Sequence, residues 1–230
     1  RETGERIQIH LSETQTEHEE CKGRHGLTPA AYMEKHGIFD SPTTAAHCVW
    51  LEDEDFDILK RHGVTVACCP ASNLKLASGY ANVPKMLESG INVALGTDGA
   101  ASNNNLNIMQ DMYLFGVVYK GYFRDPTIIT PAEVLHAATR AGALSQGRDD
   151  SGLLAVGMRA DLCVLNTDTP QFTPMTSAAC NVVYAAQGAD IRMTMVDGEV
   201  LYRDGEFKTI DIEKVKAEVQ RRTDSILSRL

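Results

Sequence analysis

Three side chains in this sequence could share one cation: His10, His47 and Asp98. Imidazole nitrogen and carboxylate oxygen are donors that Zn²⁺ or Fe²⁺ accepts at an open catalytic site. Each of the three sits at the end of, or just past, a short apolar run. His10 is in residues 7–11 (IQIHL), His47 in residues 43–50 (TTAAHCVW), and Thr97-Asp98-Gly99 follows residues 91–96 (INVALG). Cys68 and Cys69 end the run 64–69 (VTVACC). Taken singly, each has a plainer reading. A histidine near a strand end is commonly a hydrogen-bonded surface or core residue, and Asp-Gly is a common turn dipeptide. Equivalent positions on successive strands link them. His18, His25, His36, His62 and His136 fall in helical or loop stretches and read as structural or solvated.

The elements that would position these groups alternate in type. Between the four apolar runs lie helical stretches: parts of 13–36, then 52–62 and 83–89, with 105–119 after the last run. Glu52-Asp-Glu-Asp places negative charge in a first helical turn, where it favours the positive end of the helix dipole. Gly63 and Gly90 stand where a left-handed residue would end a helix just before the next strand. Strand–helix alternation at spacings of about 20 to 40 residues implies parallel strands joined by crossover helices. An open doubly wound sheet and a (β/α)₈ barrel both fit; the absence of a glycine-rich dinucleotide turn disfavours the former. Past Pro131 a striped helix over 132–144 leads into β-type segments at 161–165 and 193–202, the latter a hairpin turning at Asp197-Gly198. Residues 212–230 form a charged amphipathic helix. The division is therefore 1–150, an α/β portion; 151–208, a small β portion; and 209–230, a terminal helix.

The 230 residues are 43% hydrophobic and 23% charged, with a net charge of −9. Such an acidic surface repels phosphate backbones and anionic headgroups, so neither nucleic acid nor membrane is an expected partner. No run approaches the roughly 18 apolar residues of a membrane span. Six cysteines without a C-x-x-C pair suit neither a disulfide scaffold nor a zinc knuckle. Cys48, Cys68, Cys69 and Cys163 read as small hydrophobes in buried strands, and the whole fits a cytoplasmic enzyme. Residue 1 is Arg, which reads as a processed or cloned edge.

Three segments carry a resemblance: 44–49 (TAAHCV), 70–79 (PASNLKLASG) and 95–104 (LGTDGAASNN). They resemble the amidohydrolase superfamily, specifically the S-adenosylhomocysteine and 5′-methylthioadenosine deaminases of its aminohydrolase and chlorohydrolase group. The tail (GLLAVGMRADLCVLN, then MVDGEVLYRDGEF) is similar to that family's flanking β-sandwich. The resemblance implies the later strands of a (β/α)₈ TIM-type barrel, part of a β-sandwich and a C-terminal helix. It implies one divalent metal, Zn²⁺ ahead of Fe²⁺, and a heterocyclic small-molecule substrate. His47 matches the metal ligand after the fifth barrel strand, and Asp98 the carboxylate ligand and general base near the last. His10 matches a substrate-contacting histidine; Ser102 and Asn103 border the substrate. Cytidine-deaminase zinc signatures are absent, so deamination would take the barrel route.

Two departures accompany the resemblance. The family's first strand carries a His-x-His ligand pair, and no H-x-H occurs here. Arg1 falls before the fourth strand, which leaves roughly three strands to a missing N-terminal segment, the expected partner alongside homo-oligomerisation. Cys68 stands where the family has a histidine that positions the hydrolytic water, and Trp50 where some relatives place a catalytic glutamate three residues after the metal histidine. Both would line the substrate. The leading expectation is hydrolytic deamination of an aminated purine nucleoside or related heterocycle. Cys68 and Trp50 lend some support to chlorohydrolysis or other C–N hydrolysis of triazine-like rings, and the missing pair to a non-enzymatic remnant.

Overall fold

The computed structural model describes residues 4–229. Strand β1 (Ile7–Leu11) is followed by helices α1 (Gln15–His25) and α2 (Pro29–Lys35), then by β2 (Thr43–His47). Helix α3 (Asp53–Arg61) leads to β3 (Thr65–Cys68); α4 (Pro70–Lys75) and α5 (Val83–Glu88) lead to β4 (Val93–Leu95). Starts and stops follow local chemistry. Thr14 and Thr28 cap α1 and α2 with their hydroxyls, and Glu52 and Asp55 form a reciprocal capping box on α3. Gly63 and Gly90 adopt φ of +61° and +72°, as the sequence predicts for residues that end a helix.

The four strands form one parallel sheet in the order β1-β2-β3-β4. Their period-2 alternation sorts side chains between two faces. Ile9, Leu11, Ala45, Val66, Cys68, Val93 and Leu95 join the core beneath the helices. Gln8 and His10 are exposed on the opposite face. Registers pair Leu11 with His47 and Cys68 with Leu95, so the C-terminal strand ends line one rim.

After β4 come α6 (Ala100–Asn103), α7 (Ile108–Phe123), α8 (Pro131–Ala138) and α9 (Arg140–Ser145). The helix expected over 132–144 is two helices, broken at Thr139, whose ψ of −86° leaves the helical region. Its pieces part because α8 packs on α7 while α9 lies across the strand starts, where Ser145 O accepts from Thr44 Oγ1 and Ala141 O from Asn92 Nδ2. Helix α7 buries Met112, Phe115 and Tyr119.

A second sheet follows: β5 (Leu162–Leu165), then helix α10 (Ala178–Tyr184), β6 (Ile191–Val196), β7 (Glu199–Arg203) and β8 (Glu206–Phe207). It is antiparallel in the order β5-β6-β7-β8. The hairpin turns at Asp197-Gly198, where both residues take positive φ (+52° and +81°) as a type I′ turn requires. Helix α10, which the sequence reading did not anticipate, packs on α7 and α8. Cys163 is exposed, contrary to expectation, because β5 belongs to a sheet with little cover, while Cys48, Cys68 and Cys69 are buried as expected. Helix α11 (Ile212–Leu227) follows the second sheet; Leu230, the expected end of that helix, and Arg1 lie outside the described residues. No described helix is long and apolar enough to cross a membrane.

Candidate metal centre

His10, His47 and Asp98 converge at the rim: one donor atom from each lies within 4.8 Å of the other two. Strand alternation alone would carry the side chain at 47 to the core face with Ala45. The backbone instead turns left-handed at His47 (φ +71°) and Cys48 (φ +50°). Residues with side chains adopt that region at a cost, which concentrates at functional sites. The His47 ring stacks on His10 at a centroid distance of 5.2 Å, and is itself 1% exposed. Asp98 is also left-handed, at φ +61°.

Neighbouring side chains fix these three. His47 Nδ1 lies 2.8 Å from Asn73 Oδ1. A side-chain carbonyl only accepts, so Nδ1 carries a proton and Nε2 is the nitrogen turned toward the rim. Ser72 donates to Asp98 Oδ2 at 2.7 Å and Gly99 N to Oδ1 at 2.7 Å. Burial pushes the Asp98 carboxyl up. Hydrogen bonds from Ser72 and Gly99, the nearby His47 and the Ser102 hydroxyl outweigh it, so the group lies below the usual aspartate range. A second carboxylate, Glu13, brings Oε2 to 3.7 Å from His47 Nε2. Glu17 holds Glu13 there: its two carboxylate oxygens accept from the backbone N–H groups of Ser12 and Glu13 at 2.8 and 2.7 Å.

The donor set fits a divalent ion. Zinc holds nitrogen and oxygen donors at about 2.0–2.2 Å. A point equidistant from three atoms 4.8 Å apart lies about 2.8 Å from each, so small side-chain movements complete one face of a coordination shell.

Other residues singled out by sequence sit elsewhere. Cys68 Sγ is in the core, 3.2 Å from the Tyr119 hydroxyl, and burial pushes its thiol up to about 12. Period 2 places it beside Val66 on the helix-covered face, not with His10. The Trp50 indole N–H donates to Ser78 O at 2.8 Å. Ser102 reaches Asp98, and the Asn103 amide turns inward to Thr97 O and Asp111. Glu13, Ser72 and Asn73 were missed as site residues, although Glu13 stands three residues after His10 at a strand exit and the other two lie in the P-A-S-N segment.

The amidohydrolase family pattern matches residues 1–201. The chain belongs to the amidohydrolase family. Among its relatives, the 5-methylthioadenosine/S-adenosylhomocysteine deaminase of Dictyoglomus thermophilum is 42% identical over 223 residues, covering 97% of this chain and 52% of the relative. A zinc-bound adenosine deaminase from Xanthomonas campestris superposes with a TM-score of 0.93 at 28% identity, over 96% of this chain and 51% of its own. The zinc complex of atrazine chlorohydrolase from Arthrobacter aurescens superposes at 0.86 with 27% identity, over 94% of this chain and 48% of its own. The chain thus spans about half the length of the curated relatives it matches. Amidohydrolase relatives that deaminate and relatives that dechlorinate share this fold.

Proposed function

We propose that this chain is the C-terminal part of a metal-dependent hydrolytic deaminase acting on an aminated purine nucleoside of the methylthioadenosine and S-adenosylhomocysteine class. The observation that carries the reading is the convergence of His10, His47 and Asp98 within 4.8 Å, beside a second carboxylate, in a chain whose relatives bear that activity in their names. The four parallel strands would be the last four of a (β/α)₈ barrel, and β5–β8 one layer of the flanking sandwich. Both would be completed by the rest of the polypeptide, in a cytoplasmic and homo-oligomeric enzyme.

Strand order reassigns two roles. With Asp98 after the last strand of eight, an unbroken order β1-β2-β3-β4 makes β1 the fifth strand and β2 the sixth. His10, rather than His47, then stands where the family places its fifth-strand metal ligand. Glu13, three residues on, takes the place of the catalytic glutamate, and His47 that of the histidine that positions the hydrolytic water. Cys68 and Trp50 are then no departure from the family pattern. The support they lent to a triazine chlorohydrolase falls away with them.

His10 and Asp98 would hold the divalent ion, whose chemistry when bound would be to make water acidic enough to act as a nucleophile near pH 7. The chain's own groups do the rest. The Asp98 carboxylate, kept ionised by Ser72 and Gly99, accepts the proton of the attacking water and passes it to the departing ammonia. His47, its tautomer set by Asn73, holds the water by its free Nε2. Glu13 is placed to protonate the purine ring as the amine-bearing carbon is attacked. The test is ammonia release by the full-length protein with zinc on 5′-methylthioadenosine, S-adenosylhomocysteine, adenosine and guanine. Release from none of the four ends the deaminase reading, and a purified protein without bound zinc or iron favours the non-enzymatic remnant.

A further inference from the structure

We propose that Asp111, in α7 and outside the donor cluster, is a positioning residue that sets the spacing between the two rim segments holding His47 and Asp98. The inference rests on the metal-site reading above. Asp111 is fully buried in a helix whose neighbouring inward residues, Met112, Phe115 and Tyr119, are apolar or aromatic. A carboxylate in such a place is costly unless hydrogen bonds satisfy it. Its Oδ1 accepts from Ala71 N at 3.0 Å, and its Oδ2 from Asn103 Nδ2 at 3.2 Å. Burial raises its pKa, while the Ala71 and Asn103 donors counter that rise.

These two contacts reach opposite sides of the site. Ala71 lies in the first turn of α4, directly before Ser72 and Asn73, whose side chains hold Asp98 and His47. Asn103 ends α6, the short helix that follows Asp98, and its amide also donates to Thr97 O at 2.7 Å, one residue before the carboxylate. One side chain of α7 therefore ties the exit of β3 to the exit of β4. If the tie is cut, the Ser72–Asp98 hydrogen bond remains but loses its fixed anchor points, so Asp98 is no longer held in place as a metal donor and His47 shifts relative to it. Residues behind a ligand commonly alter metal affinity or activity by about 10- to 100-fold when removed.

Asp111→Asn and Asn103→Ala test this, singly and together, in the full-length protein loaded with zinc. Chelator competition reads zinc affinity, and a steady-state ammonia assay on 5′-methylthioadenosine reads kcat and KM. Each single variant should bind zinc about tenfold more weakly and lose about tenfold in kcat, with KM within about twofold. The double variant should be no worse than the poorer single, because both cut one link. A plain structural role for Asp111 would lower the melting temperature and leave zinc affinity and kcat at the wild-type values; that result overturns the proposal, as do losses that multiply in the double variant. Should Asp111→Asn fail to fold, Asn103→Ala decides on the same two readouts. A wild type that binds zinc yet releases no ammonia ends the deaminase reading, while the zinc measurements still judge Asp111.

Discussion

The parallel sheet β1–β4 and the antiparallel sheet β5–β8 have four strands each, yet they differ in what covers them. In the first, Leu11, Ala45 and Val66 are fully buried beneath helices. In the second sheet and in α11, no described residue is buried, and Val164, Val196, Phe207, Val219 and Ile226 stay exposed. The cause lies in the connections. A parallel pair needs a crossover, and the crossover helix is itself the cover; β6, β7 and β8 are joined directly by short turns that bring none, and α10, between β5 and β6, packs on α7 and α8 instead. The antiparallel sheet is left with its apolar side chains largely in solvent among the described residues. Total exposure agrees: 13427 Å² at 25.1 kDa, against about 10,300 Å² for a compact monomer of that mass.

The largest expected effect lies at the rim. In the full-length protein Asp98→Asn should lower kcat by about 10²- to 10⁴-fold, the range for losing a general acid–base group, whereas Val219→Ser in α11 should leave kcat unchanged. Comparable losses from both would break the assignment of chemistry to the first region.

Packing gives the next contrast. Leu59→Ala, fully buried under the parallel sheet, should cost about 2–5 kcal/mol in denaturant unfolding. Val196→Ala, on the half-covered sheet, should cost under about 0.5 kcal/mol in this chain alone. The second value should rise in the full-length protein if a further layer covers that sheet, and an unchanged value would argue that no such layer exists.

Asn73→Ala sharpens the comparison within the rim. It frees the tautomer of His47, the residue assigned to hold the water, so kcat in the ammonia assay should fall about tenfold or more, while zinc affinity by chelator competition stays within about twofold of wild type.

The smallest effects concern charge. Arg61 and then His62 hydrogen-bond Glu34 and hold its carboxyl below the usual range, linking α2 to the end of α3. A depressed folded pKa gives stability that is present above the ordinary glutamate value, near 4.5, and is lost as pH falls through the lower folded value. Glu34→Gln should remove that slope from urea midpoints measured between pH 6 and pH 3.5, an effect of at most about 1 kcal/mol. Glu218, pulled down to about 2, is bonded to Arg221 and Arg222 of its own helix. Glu218→Gln should leave the global midpoint unmoved.

Much of this was legible before any coordinates. The four apolar runs became four parallel strands, and Asp197-Gly198 became the hairpin turn, because period-2 patterning and turn chemistry are local properties. His47 and Asp98 were legible as partners because both stand at strand exits. Cys68 was expected to line the substrate and instead lies in the core, a place that its alternation with Val66 already indicates.

The sequence by itself determined the four parallel strands, the hairpin, the family and the kind of donor available for a cation, since residue type and spacing carry those, but not helix α10 or the break at Thr139. Only the tertiary structure decided that the three donors come within 4.8 Å of one another, that Glu13 stands beside them, and that Asn73, Ser72 and Asp111 hold the site from behind. Those relations depend on strand register and on left-handed backbone at His47 and Asp98, which bring together side chains 26 to 88 residues apart. No local pattern encodes such distances, because they are set by how neighbouring strands pair and how the helices beneath them pack.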